Sequence, residues 1–389
     1  MRAVELERLA EEIGIDVVGA SRAEPYEETE GHIRERRARG LFADMRFTMT
    51  QPEVSCHPEA LLPGARTVIS TALCYYVPGP RGLSGNPRDA GARENRALAR
   101  TQGASICRHI GATEDTASGR FAAASGARGL SGQAPEAGPD EGRLPRYTWR
   151  SNYVELREKL DALGRRLGGS YRVLVDENQH VDREGAARAG VGFYGKNTML
   201  ITRRYGSWVV LGTLVTDVEV EPAPRLELDC GSCTLCIEAC PTGALDEPGV
   251  LDSTKCLSYW TQAPGSIPEE YRADLGDQVY GCDICQDVCP WNRGVEKRRA
   301  GEALPRDAEP TVSLADWLAA SNAALRTRYE RLYFPKKDPR FLRRNALVAA
   351  GNSGEPALVE AVAPFLRDPD SLLAEHAEWA LAQIAKAPV

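Results

Sequence analysis

The sequence predicts an α+β protein in three parts: a sheet-bearing N-terminal half, a cysteine-rich module and a helical tail. Three observations predict it. Runs of β-branched residues alternate with helix-period leucines through residues 1–222. Eight of the eleven cysteines fall between positions 230 and 289. Beyond position 340, three apolar-periodic segments are separated by glycine and by Asp-Pro-Asp. A chain of 389 residues has ample length for buried cores and suggests two or three domains.

Taken in order, residues 1–80 read as helix, loop, helix and strand. Leu6, Leu9 and Ile13 share one face of an acidic amphipathic helix, unlike the basic start and apolar core of a signal peptide, so a cytoplasmic protein is expected. The 67–77 run, bounded by Pro63-Gly64 and Pro78-Gly79, reads as a buried strand and is far too short to span a bilayer. Cys74 within it is expected as a structural thiol, and Cys56 and His57 receive no role. Residues 83–143 turn to Gly, Ala, Ser, Arg, Pro and Asp, a composition that cannot bury enough surface to offset its ordering entropy. They are expected as a low-complexity mobile insertion, Cys107 and His109 included.

From 151 the pattern recovers. Leu156, Leu160, Leu163 and Leu167 mark a helix stopped by Gly168-Gly169, and 171–176 a strand ending in the carboxylate of Asp176. A short helix at 182–189 follows, then a hairpin of 198–201 with 208–215. Between them Gly190-x-Gly192-x-x-Gly195 superficially matches a dinucleotide fingerprint. That fingerprint needs a strand before and a helix after, whereas the order here is helix, glycines, strand. The Rossmann reading is rejected, and the three glycines are expected to let backbone approach a large ligand.

The cysteines carry the most specific chemistry. Cys230-Gly-Ser-Cys233-Thr-Leu-Cys236-Ile-Glu-Ala-Cys240-Pro241 follows the C-x2-C-x2-C-x3-C-P run of bacterial-type ferredoxins, whose fourth cysteine ligates the other cluster. Cys256 stands alone, and Cys282-x2-Cys285-x3-Cys289-Pro290 ends the stretch. Eight thiolates serve two [4Fe–4S] clusters. The crossing rule assigns Cys230, Cys233, Cys236 and Cys289 to one, and Cys240, Cys256, Cys282 and Cys285 to the other. Tetrahedral zinc sites do not usually want a third cysteine at x2 and a fourth at x3 before proline. The spacings are also too short to bridge comfortably as disulfides.

The net charge of −7 argues against indiscriminate nucleic-acid binding. Between 326 and 344, however, Arg326, Arg328, Arg331, Lys336, Lys337, Arg340, Arg343 and Arg344 face only Glu330 and Asp338, with Tyr329, Tyr333, Phe334 and Phe341 interleaved. Such a stretch is either a backbone-tracking, base-stacking surface or a solvated helix face. The connector 302–322 carries a short helix at 313–320. The segments 341–351, 355–367 and 371–385, with Leu347, Leu358, Val362, Leu373, Ala377 and Leu381 inward, resemble a HEAT-type helical pair. So few units must pack on the rest of the chain.

Val175-Asp176, Asp182-Arg183, the 188–197 loop, Gly206-Ser-Trp, the cysteine runs, Cys256-Leu-Ser-Tyr and the 334–345 stretch together resemble the epoxyqueuosine reductase family, over nearly everything except 83–143. The resemblance implies a nitroreductase-like cobalamin-binding domain (1–82 and 144–222), a ferredoxin-like module with two [4Fe–4S] clusters (223–300) and a HEAT-like region that holds tRNA (301–389). It implies a cobalamin-dependent oxidoreductase that removes the epoxide oxygen of epoxyqueuosine at the wobble position of tRNAs for Asp, Asn, His and Tyr. A low-potential electron donor, no membrane and a monomer are expected. By the same resemblance Asp176 is the proton donor and Arg183 an active-site arginine, with His180 the alternative donor. Gly190, Gly192, Gly195, Lys196 and Asn197 would border the cobalamin, and Lys336, Lys337, Arg340, Arg343 and Arg344 the tRNA. Where the family commonly has Asp-Tyr-His, this chain has Ser151-Asn152-Tyr153. Two other readings use the same cysteines: a dehalogenase-like cobalamin reductase of a small molecule, and a ferredoxin-type electron carrier without a corrin.

Overall fold

The computed structural model describes residues 1–44, 50–78, 137–177 and 179–387. Most of the stretch expected as an insertion, with Cys107 and His109, lies outside the described residues. Eight strands are described: β1 (Val17–Arg22), β2 (Thr67–Cys74), β3 (Glu141–Arg143), β4 (Tyr171–Leu174), β5 (Phe193–Tyr194), β6 (Leu200–Ile201), β7 (Val209–Thr216) and β8 (Thr311–Ser313).

The main sheet has the order β1-β2-β7-β4, with each neighbouring pair antiparallel. Both of its faces are covered, which is why β2 and β7 show no alternation of apolar and polar residues. On one face Ile69, Leu73, Val210 and Leu214 pack with Leu156, Leu160 and Leu163 of the Asn152–Leu167 helix and with Leu6 and Leu9 of the Ala3–Ile13 helix. On the other face Ala72 and Val209 meet Ala186, Ala187 and Ala189, at and just beyond the Asp182–Arg188 helix. The approach is close: a Cβ on Gly19 would lie 1.9 Å from the Ala189 carbonyl oxygen.

Two strand expectations are corrected. β1 was not foreseen, because Gly19, Ser21 and Arg22 dilute its apolar pattern and its place comes from pairing with β2. The expected hairpin of 198–201 with 208–215 does not form. β6 pairs with β5, and β7 joins β2 and β4, leaving an isolated bridge between Thr202 and Gly206. Proximity in sequence suggested a hairpin, but the long apolar run buries more surface in the centre of the sheet.

The boundary at 143 also moves. β3 pairs antiparallel with β8, so residues 137–143, expected within the insertion, are anchored to the connector. Three residues are too few to display a period. The tail packs on the rest of the chain, as its small size requires: Trp317, Leu342, Leu347 and Ala377 share one buried cluster with Leu144, Trp149, Val279 and Tyr280. Its long helices are Arg340–Ser353 and Ser371–Ile384. The first ends at Gly354 in the left-handed region (φ 66°), and the second is capped by the Asp370 carboxylate, which accepts from the Leu372 N–H at 3.0 Å. The 355–367 stretch is not one helix but three short turns, Pro356–Leu358, Val359–Val362 and Ala363–Arg367, since Pro356 and Pro364 each remove a backbone donor. Among the described residues no helix is long and apolar enough to cross a membrane.

Candidate active site

A cavity of about 1260 Å³ lies where the sheet, the cysteine module and the tail meet. It exceeds the roughly 300–1,000 Å³ of an ordinary small-molecule site. The sheet side contributes Tyr75, Asp176, Arg183, Val209 and Val210; the cysteine module contributes Cys240, Cys256, Cys282 and Cys285; the tail contributes Arg331, Tyr333 and Lys336.

Backbone strain is concentrated on this cavity. Five non-glycine residues among those described have φ in the left-handed region: Ala43, Asp176, Thr198, Lys336 and Lys337. The first four line the cavity. Such conformations cost on the order of 1–3 kcal/mol each and persist where the surroundings over-determine them.

Asp176, at φ 53°, stands in the loop that leaves β4. Arg157, reaching from the Asn152–Leu167 helix, brackets it. Its guanidinium donates to the Val175 carbonyl at 3.0 Å and to the Glu177 carboxylate at 2.6 Å. Asp176 is exposed to the cavity, yet the protein around its carboxyl displaces enough water to raise it above the ordinary range, against the weaker pull of Arg157 and Lys337. Six residues on, burial pushes the Asp182 carboxyl up to about 7, opposed by the Thr213 hydroxyl, which donates to Asp182 Oδ1 at 3.1 Å. Arg183 lines the cavity with Met199 Sδ at 4.0 Å from its guanidinium, and among the described residues it has no carboxylate within ion-pair distance.

His180, the alternative donor, is not among the residues that line the cavity. It is buried beside Tyr26, with ring centroids 5.6 Å apart and the rings tilted by 58°. Burial pushes its pKa down to about 4, so at neutral pH it is uncharged and holds no extra proton.

Cys240, Cys256, Cys282 and Cys285 line the cavity together, and Cys230 and Cys289 pack together against Phe193 and Ile201. Burial raises the Cys289 thiol, and beyond an opposing hydrogen bond from the Trp291 amide the next influences are Cys230, Cys236 and Cys233. Cys285 is raised by burial and then by Cys282 and Cys256, while Cys256, after burial and two opposing amides, feels Cys240. None of these cysteines is in a disulfide, and no three His, Cys, Asp or Glu side chains among the described residues converge on a single-ion site. The arrangement suits a larger inorganic group than one ion. Cys56 stands apart, buried beside Tyr26 and Ile33, and His57 is engaged by Glu30 at 2.9 Å.

The glycine reading needs correction. A Cβ on Gly190 would lie 2.4 Å from the Pro224 carbonyl oxygen, on Gly192 2.7 Å from the Ile201 carbonyl oxygen, and on Gly195 2.6 Å from Asn197 Oδ1. The space these residues leave is filled by the chain's own atoms. Lys196 likewise turns away, donating to the Gly231 carbonyl at 2.7 Å. Of the five, Asn197 lines the cavity.

The cations of the tail separate too. Arg344 is fully buried, donating to the carbonyls of Trp260 and Ala263 at 2.8 Å each and to that of Gly265, so it presents no charge to a ligand. Lys337 donates to the carbonyls of Glu330 and Leu332 at 2.8 and 2.7 Å, Arg340 pairs with Asp338 and Asp370, and Arg343 bonds Asn322 and the Ala320 carbonyl. Lys336 is exposed on the cavity rim. Exposed Arg37 borders the same cavity, and neither it nor Tyr75 and Tyr147 on the wall stood out in the sequence. Tyr153 lines the cavity too, in the segment where the chain departs from the family's Asp-Tyr-His. Nothing in the local sequence distinguishes wall tyrosines from core ones.

Comparison with known proteins adds to this geometry. A family model described as a 4Fe-4S double cluster binding domain matches residues 229–292, the span of all eight cysteines. An epoxyqueuosine reductase of Bacillus cereus is 31% identical over 96% of this chain and 86% of its own length. That of Xanthomonas campestris is 30% identical over 98% of this chain and 96% of its own. A crystal structure of epoxyqueuosine reductase with an epoxyqueuosine-modified tRNA-Tyr stem loop superposes with a TM-score of 0.75 at 28% identity, covering 98% of this chain and 89% of that one. A Bacillus subtilis epoxyqueuosine reductase whose catalytic aspartate loop is swung out of the active site superposes equally well, at 0.75 and 27% identity, over 98% of this chain and 90% of that one. Similar at this level along almost its whole length, the chain belongs to the epoxyqueuosine reductase family, a family of oxidoreductases.

Proposed function

We propose that the protein reduces epoxyqueuosine in the anticodon of tRNA to queuosine, with Asp176 as the acid. The observation that carries this reading is the single cavity in which Asp176 and Arg183 face Cys240, Cys256, Cys282 and Cys285. Cys230, Cys233, Cys236 and Cys289 hold one [4Fe–4S] cluster in this reading, and the four cavity cysteines hold the other. Cobalamin fits as the second cofactor: the cavity is larger than an ordinary site, Tyr75, Tyr147, Tyr153, Val209 and Val210 offer apolar area to the ring, and Asn197, Ser258 and Gln262 offer polar groups to its amide edge. The clusters supply electrons singly, and cobalt in a corrin supplies a centre able to accumulate two.

The chain's own residues do the rest. Lys336 and Arg37 attract the anticodon phosphates at the rim, and Arg183, unpaired by any carboxylate among the described residues, orients the modified nucleoside. The overall change takes up two electrons and two protons, leaves an alkene and releases water. Asp176, raised by desolvation and bracketed by Arg157, holds one of those protons and gives it to the departing oxygen. In the finer reading the sheet unit is a nitroreductase-like cobalamin domain, the tail is HEAT-like, and the substrates are the tRNAs for Asp, Asn, His and Tyr.

The test is nucleoside analysis after incubating the reconstituted protein with epoxyqueuosine tRNA and a strong reductant. Queuosine is the expected product, and its absence with both clusters and corrin in place would overturn the substrate assignment. Lys336→Ala and Arg37→Ala are each expected to weaken tRNA binding and to lower the slope of log affinity against log salt by about 0.7–0.9. An unchanged salt slope would return these cations to an ordinary solvated surface.

A further inference from the structure

The cavity cysteines are Cys240, Cys256, Cys282 and Cys285, so the group of Cys230, Cys233, Cys236 and Cys289 is the one remote from the substrate. Cys289 and Cys230 pack with Phe193, Ile201 and Trp291, and the half-buried Trp291 ring meets Phe193 edge-on at 5.1 Å.

Around this group the chain places a set of cations. Ile201 leads into the turn closed by the Thr202–Gly206 bridge, whose tip exposes Arg203 and Arg204. Trp291 leads into the Arg293–Arg299 helix, on which Arg293 and Lys297 are exposed one turn apart. The two elements are fastened together. Asn292 Oδ1 accepts from the Ser207 N–H at 2.7 Å, and the exposed Arg298 donates to the Arg204 carbonyl. The helix's one acidic residue, Glu296, is turned inward to accept from the Trp208 indole at 3.1 Å, and Arg299 is paired with Glu302 at 2.7 Å. Among the described residues none of Arg203, Arg204, Arg293, Lys297 and Arg298 has a carboxylate within ion-pair distance. Exposed Glu227, Asp229 and Glu238 lie in the thiol stretch itself, so in a chain of net charge −7 the basic face is that of the 202–206 turn and the Arg293–Arg299 helix.

We infer that this surface docks a small, acidic, one-electron carrier protein, which delivers electrons to the cluster held by Cys230, Cys233, Cys236 and Cys289. The inference rests on the cofactor reading given above. Each docking event oxidises the carrier by one electron and reduces the cluster by one, with no bond made or broken, and two events match the two-electron reduction. Nucleic acid is the other partner a basic surface attracts. None of these five cations lines the cavity that the nucleoside must reach, whereas Arg203 and Arg293 each lie two residues beyond Ile201 and Trp291, which pack with Cys230 and Cys289.

The test uses the full-length, reconstituted holoprotein and a charge-reversed variant carrying R203E, R204E, R293E and K297E. Cluster reduction is followed by stopped-flow absorbance without tRNA, once with a reduced acidic ferredoxin and once with reduced methyl viologen, which needs no docking surface. The variant is expected to lose roughly 10- to 10³-fold in the ferredoxin rate at low salt, together with the salt dependence of that rate. Its rate with methyl viologen, its iron content and its tRNA affinity should match wild type. An unchanged ferredoxin rate overturns the inference. So does an equal loss with both reductants, or a loss of tRNA affinity in place of the ferredoxin rate. Because cluster reduction is read without substrate, a failure of the wild-type protein to convert epoxyqueuosine with viologen counts against the reaction and leaves the docking result readable.

Discussion

Replacing Asp176 by Asn is expected to lower turnover by roughly 10²- to 10⁴-fold while iron content, corrin content and tRNA affinity stay at wild-type levels. Asn keeps the size of the side chain and tolerates the left-handed backbone of this loop, but it has no proton to give. Desolvation raises the Asp176 carboxyl, so its protonated form persists to higher pH than that of a free aspartate. The acid must be protonated to act. Wild-type turnover is therefore highest below the folded-state pKa and falls as pH rises through it, and the Asn variant lacks that limb. Lys337 favours the charged carboxylate, so Lys337→Met is expected to move the limb to higher pH. A rate profile on modified tRNA checks each point, and wild-type turnover in the Asn variant would remove Asp176 from the mechanism.

Arg344→Ala is expected to destabilise the fold by roughly 3–5 kcal/mol, a large share of the ~5–15 kcal/mol typical of a domain. Arg344 fastens the tail to the cysteine module. Its guanidinium reaches the carbonyls of Trp260, Ala263 and Gly265, which end the Leu257–Gln262 helix just after Cys256. Those groups are the orphan carbonyls of a helix C-terminus, and a cation there also opposes the helix dipole. Burial pushes the Arg344 pKa down to about 9, so the side chain remains charged at neutral pH. Truncation leaves several buried acceptors without donors. Thermal unfolding of the holoprotein is the measurement, with a fall in midpoint on the order of 5–10 °C. An unchanged midpoint together with weakened tRNA binding would restore Arg344 to an RNA surface.

These two residues mark different limits of sequence reading. Asp176 was singled out through the family resemblance of Val175-Asp176 and Asp182-Arg183, while its place at a strand end alone read as well as a helix cap. Arg344 was misplaced because a basic stretch looks the same whether its cations face water or carbonyls. The cysteine groups were legible because iron–sulfur ligation imposes short, local spacings that neither zinc nor disulfides share. β1 and β3 were missed for the opposite reason: each is held by a partner distant in sequence. The glycines at 190, 192 and 195 report a tight backbone, and only their neighbours show that protein atoms occupy the space.

The sequence by itself determined which thiols belong to the cysteine module, where the Asn152–Leu167, Arg340–Ser353 and Ser371–Ile384 helices run to within a few residues, and which family the motifs resemble. All of these are written in periods and spacings of a few residues. The tertiary structure decided which four cysteines border the cavity, that Asp176 and Arg183 face them, and which cations are left facing solvent. Burial and desolvation depend on what packs against a side chain from elsewhere in the chain, and that is settled only when the sheet, the cysteine module and the tail come together.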